Sequence, residues 1–127
     1  MSNLVIIARP GLGATIDEYE VGPTVTDEDR MSLARSVVGG SYRRLIFCKG
    51  SREYCLGYNE EADLYGMEAC LSVPVGELWI GAGSHIQHQT FSGNILISRT
   101  GRSHYGPFGM DPSEALAWAT KVDSWRV

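Results

Sequence analysis

The chain of 127 residues lacks any apolar run long enough to cross a bilayer as a helix. Its first apolar stretch, Leu4-Val5-Ile6-Ile7-Ala8, is five residues long and has no basic leader, which fits neither a secretory signal nor a membrane span. Cysteine is scarce. Cys48, Cys55 and Cys70 are an odd set without paired spacing, as expected of reduced thiols in a cytoplasm. No H-E-x-x-H and no G-x-S-x-G occur, so the familiar zinc-protease and serine-hydrolase signatures are missing. Gly11-Leu12-Gly13 has no third glycine and no helix directly after it, and reads as a turn rather than a dinucleotide cradle. A net charge of −4 gives no electrostatic case for binding nucleic acid or a membrane over the whole surface.

What remains is ordinary globular composition, 43% hydrophobic and 20% charged, which argues against disorder. Its length is that of one domain spanning residues 1–127. The expected architecture is α+β: a mostly antiparallel sheet of four to six strands covered by two helices. Leu4–Ala8 predicts a buried strand, and Thr15–Val21, alternating apolar with acidic residues, an edge strand or an extended arm with one wet face. Thr26 is placed to cap a helix whose first turn holds Asp27, Glu28 and Asp29, where carboxylates favour the positive helix end. Met31, Ala34, Val37 and Val38 recur at helical spacing, and Gly39-Gly40 predicts the stop.

Tyr42–Cys48 and Glu53–Tyr58 read as a hairpin turning at Lys49-Gly50-Ser51. A polar turn follows at Asn59–Asp63. Leu64–Val75 is ambiguous: Met67–Leu71 is compatible with one helical turn, and Pro74 forbids a long helix. Glu77–Ile80 reads as a short strand, and Asn94–Ser98 as a strand buried on both faces. Arg99–Met110 is expected to be an exposed loop. Asp111-Pro112-Ser113-Glu114 opens a second helix, with a cap, a proline at the first position and an acid in the first turn. Ala115, Leu116, Ala119 and Val122 are expected to face the core, with Trp118 at the margin. All three cysteines are expected to be buried and inert.

The order from Met31 to Arg99 resembles a domain-of-unknown-function family, number 3846, found mostly in phage, prophage and plasmid genomes. The resemblance is carried by the helix running into Val38-Gly39-Gly40, the strand after it, the Tyr58-Asn59-Glu60-Glu61 turn, the Leu64–Met67 segment and the Gly93–Ile97 strand. It covers about half of the chain. Ala62 stands where that family usually has a glycine, and the Gly81–Ser92 stretch and the helix from Asp111 are atypical of it. The resemblance implies a mobile-element origin and a small α+β domain, and it transfers no catalytic residue.

The richest candidate site is Gly81–Gly109. His88, Phe91, Asn94, Arg99, Arg102, His104 and Tyr105 combine stackable rings, hydrogen-bonding groups and forked cations that can grip an anion. Asp17, Glu18, Glu20, Asp27, Glu28 and Asp29 form an acidic surface expected to attract a partner. No metal or cofactor is called for. Two classes of function compete. One is a non-enzymatic mobile-element accessory protein, in the cytoplasm of a bacterial host, that binds and blocks a host protein. The other is an oligomeric protein that sequesters a nucleotide-type signal. A small enzyme built on His85, His88 or His104 is a third class.

Overall fold

A computed structural model describes residues 4–18, 27–49, 52–75, 88–99 and 109–127. Within them lie seven strands and two helices: β1 (Leu4–Ala8), β2 (Thr15–Glu18), α1 (Asp27–Val38), β3 (Tyr42–Lys49), β4 (Arg52–Asn59), β5 (Ala69–Pro74), β6 (His88–Ser92), β7 (Ile95–Arg99) and α2 (Pro112–Asp123). Five strands form an antiparallel sheet in the order β2-β1-β7-β4-β3, and β5 pairs with β6 in a separate two-stranded sheet. The fold is therefore α+β with a mostly antiparallel sheet.

The apolar runs at β1 and β7 lack alternation because both faces of these strands are covered. Successive side chains of a strand point to opposite faces. Ile6 and Ala8 enter the larger core with Ile95 and Ile97, while Val5 and Ile7 face the other way with Leu96. The register places Ile6 opposite Ile97 and Ala8 opposite Ile95, so the division holds across the strand pair. α1 closes the smaller side through Ala34, with Leu33 and Val37 packed at its margin. The β5–β6 sheet and α2 close the larger side through Leu71, Val73, Phe91, Ala115, Trp118 and Val122. The two helices thus cover opposite faces.

Several local expectations are corrected. Met67–Leu71 forms no helical turn: β5 begins at Ala69. His88–Ser92 is a strand. In α2, Trp118 is 3% exposed and belongs to the core, whereas Leu116 is 62% exposed and faces outward. Trp118 touches the rings of Phe47, Tyr54 and Trp125, so helix rotation is set by the largest ring. Cys48 is exposed while Cys55 and Cys70 are buried. Strand alternation explains Cys48: Phe47 takes the larger core, and Ile46 and Cys48 point to the opposite side, where of β3 only Tyr42 packs on the α1 cluster.

The expected helix stop is present. Gly39 and Gly40 have φ of +80° and +154°, and both amides donate to the Arg35 carbonyl. Asp111 caps α2 with a reciprocal capping box to Glu114. The chain's last residues dock: Ser72 donates to the Trp125 carbonyl at 2.8 Å and Val127 to the Cys70 carbonyl at 3.2 Å. The Thr26 cap, the turn at residues 50–51, the Glu77–Ile80 strand and the loop over residues 100–108 lie outside the described residues.

Candidate functional site

Three places gather chemistry. The first surrounds Glu114, whose side chain is 4% exposed. Register builds it. Arg52 and Tyr54 stand two apart on β4 and share a face. Arg99 lies opposite Tyr54 across the β4–β7 pair. The three donors converge where α2 starts. The Tyr54 hydroxyl donates to Glu114 Oε2 in a short hydrogen bond, Arg52 Nη1 donates to the same oxygen at 3.0 Å, and Arg99 Nε stands 3.9 Å from it. Glu114 Oε1 accepts from the Asp111 amide at 3.3 Å. Burial and the hydrogen bond to Glu114 push the Tyr54 hydroxyl pKa up, and the Glu114 carboxylate raises that of the Arg52 guanidinium. A cleft of about 380 Å³ opens beside the network, reached by Arg52, Asp111, Ser113 and Ala117. Two guanidiniums meet the Glu114 carboxylate, while the Asp111 carboxylate, also on the cleft, caps α2. This arrangement pins α2 to the sheet.

The second place is the loop between β4 and β5. Asn59 is buried, and its side chain donates to the Val38 carbonyl at 3.3 Å while accepting from the Glu61 amide at 2.9 Å. Glu60 donates its amide to Ser41, Ala62 to Asn59, Tyr65 to Glu61, Gly66 to Asp63 and Met67 to Ala62. Gly66, with φ of +63°, makes the last bend. Ala62, buried, anchors the loop from beneath. On this held backbone Leu64 is 82% exposed and Tyr65 69% exposed. The Glu61 carboxylate accepts from the Tyr65 hydroxyl and raises its pKa. Glu60 pairs with Arg43 at 3.4 Å, and Asp63 and Glu68 are exposed.

The third place adjoins this loop. A pocket of about 300 Å³ lies between the end of α1 (Val38 and Gly39), the Met67–Glu68 segment and the β6–β7 turn at Gly93-Asn94. Pro10 completes its wall.

The residues singled out from sequence do not assemble into one site among the described residues. Phe91 is buried, packs on Tyr58 with ring centroids 5.0 Å apart, and has no surface left to stack on a ligand. Asn94 donates to the Val37 carbonyl at 3.2 Å, tying the turn to α1. His88 is exposed on β6, with Nδ1 3.4 Å from the Ser72 hydroxyl. Arg99 turns toward Glu114 of its own chain. Arg102, His104 and Tyr105 lie outside the described residues. In the acidic set, Asp17 stands 3.9 Å from Arg9, Glu18, Glu28 and Asp29 are exposed, and Glu20 and the Asp27 side chain are outside the description.

In the sequence Glu114 stands out only as a first-turn acid, and Leu64-Tyr65 as part of an ambiguous segment and of the family resemblance. The signal for the first was Arg52-x-Tyr54 on a strand, two donors on one face. For the second it was two large apolar residues next to Gly66 and after four polar turn residues. No family model, curated protein or solved structure matches this chain, so the functional reading rests on its own geometry.

Proposed function

We propose that this chain acts by binding another protein rather than by chemistry of its own, as a small mobile-element accessory protein that binds and blocks a host protein. The observation that carries the reading is the exposure of Leu64 and Tyr65 on a loop whose backbone is already hydrogen-bonded in place. Leu64 and Tyr65 stand side by side with most of their surface in water and outside both core clusters. Placed on a rigid frame they lose little further freedom on docking, which is what a contact anchor requires. The exposed acids on β2 and α1 suit electrostatic attraction of a partner, at ranges of about 8–10 Å in physiological salt.

The test is a Leu64→Ser/Tyr65→Ser double variant. Capture of a defined host protein is expected to fall at least tenfold while the melting temperature stays within a degree or two of wild type, since exposed substitutions change stability little. Undiminished capture by the folded variant overturns the reading. The nucleotide-sequestering alternative draws on the cleft beside Arg52. It requires a thermal shift with some member of a nucleotide panel that Arg52→Ala abolishes.

A further inference from the structure

The pocket beside the loop has a chemistry distinct from the exposed tip. Met67, Pro10 and Val38 give it apolar walls, Gly39 leaves open space at its mouth, and the Met67 side chain lies over buried Gly93. Among the described residues that line it, the charge is of one sign. The Glu68 carboxylate stands on the rim, and no ion pair to it forms among the described residues. The C-terminal end of α1 lines one side, at the negative pole of the helix, a charge reduced by the hydrogen bonds its carbonyls accept. Those carbonyls are fixed in place: Val37 accepts from Asn94, Val38 from Asn59, and Arg35 from Gly39 and Gly40. Arg35, the basic residue of the last helical turn, does not line the pocket.

We infer that this pocket receives an arginine side chain of the protein partner, an inference that rests on the docking role given to Leu64 and Tyr65. An arginine has a stem that lies on apolar walls and a head that stays near the wet rim. Its guanidinium is more weakly hydrated than an ammonium, so it enters a half-apolar site at lower desolvation cost, and its fork fits a carboxylate bidentately. Glu68 follows Met67 directly, and its carbonyl accepts from the Gly93 amide at 2.8 Å, so the carboxylate springs from a held point of the backbone. The partner surface complementary to this face therefore combines an apolar hollow for Leu64 and Tyr65 with an arginine beside it.

The pocket is tested without the partner. Isotope-labelled protein is titrated with N-acetyl-arginine amide and, as an uncharged control of similar length, N-acetyl-norleucine amide. Saturable shifts in the millimolar range are expected at the amides of Gly39, Glu68, Gly93 and Asn94 with the arginine probe alone. Glu68→Gln, an exposed and nearly isosteric change, is expected to weaken the apparent Kd about fivefold or more. Absent or non-saturating shifts overturn the inference. So do equal shifts with norleucine, or an unchanged Kd in Glu68→Gln. The two readings fail separately. A Leu64→Ser/Tyr65→Ser variant that keeps its partner sinks the docking role. A loop-dependent partner bound equally well by Glu68→Gln sinks only the arginine pocket.

Discussion

At the scale of single residues the decisive group is Glu114. It accepts from a tyrosine, pairs with one half-exposed arginine and one largely buried arginine, and closes the capping box of α2. Removing it leaves the Tyr54 hydroxyl and the Arg99 guanidinium short of a partner and loosens the helix start. Glu114→Ala is expected to cost about 2–4 kcal/mol in urea unfolding. Arg52→Ala, by contrast, removes a side chain that is about half exposed, and a clearly smaller cost than that of Glu114→Ala is expected. Equal costs for the two variants would show that the carboxylate is no hub. The same scale shows why part of this was illegible. Nothing in Glu114 or its neighbours in sequence distinguishes a solvated first-turn acid from a buried acceptor. The difference is made by β4 and β7 residues about 15 to 62 positions away, brought in by strand register. Gly57 is a similar case: a Cβ there would overlap the Tyr42 ring, a requirement visible only once β3 and β4 are paired.

At the scale of elements, those with strong local chemistry were readable and those made by pairing were not. β1 and β7 announce themselves as unbroken aliphatic runs, and α2 by Asp111-Pro112 and Glu114. β5 and β6 do not. His88, Gln89 and Thr90 are exposed, so only Phe91 marks the inner face of β6. β5 carries the helix former Ala69 at its start, and its strand state comes from β6 on one side and the docked Trp125–Val127 on the other. The Gly81–Gly109 stretch is rich in binding-type residues by composition, yet Phe91, Asn94 and Arg99 serve the fold, because polar side chains near a strand end also satisfy helix carbonyls, as Asn94 does. The end of α1 is the sharpest element-level expectation. Gly40 has φ of +154°, and an added Cβ would stand 3.2 Å from Asn59 Nδ2, while Gly39 at +80° meets open space. Gly39→Ala is expected to cost about 1 kcal/mol. Gly40→Ala adds displacement of the Asn59 side chain from Val38, and about 2–3 kcal/mol is expected. A Gly40→Ala variant that melts with wild type would remove the Asn59 anchor from the account of the binding loop.

At the scale of the whole molecule the central sheet divides the interior into a small core under α1 and a large one under α2 and the β5–β6 sheet. The cysteines report on this layout. Cys48 lies exposed on β3, so a thiol reagent should modify it in the folded state at the rate of an accessible thiol. Cys55 is buried in β4, 3.2 Å from the Ser98 hydroxyl, and Cys70 is buried in the larger core. Both should react only as fast as the fold opens. Burial drives both pKa values up, that of Cys70 from 9.0 to about 11. The consequence for stability follows from proton counting. Below pH 9 the Cys70 thiol is protonated whether the chain is folded or not, and its contribution is intact. Between pH 9 and about 11 the unfolded chain releases a proton that the folded chain retains, so unfolding becomes progressively easier. Above that range both states are ionised and the loss levels off. Tyr42, its hydroxyl pKa raised chiefly by burial, acts in the same direction from about pH 10 upward. The urea midpoint is therefore expected to decline from pH 8.5 to 11. Cys70→Ala, although less stable at pH 8 through the lost packing, should show a shallower decline over the same interval, because one of the groups that takes up the difference is gone. Parallel pH profiles for the variant and the wild type would mean that the Cys70 thiol is not held protonated by the core, and would place the alkaline sensitivity on Cys55 and the tyrosines instead.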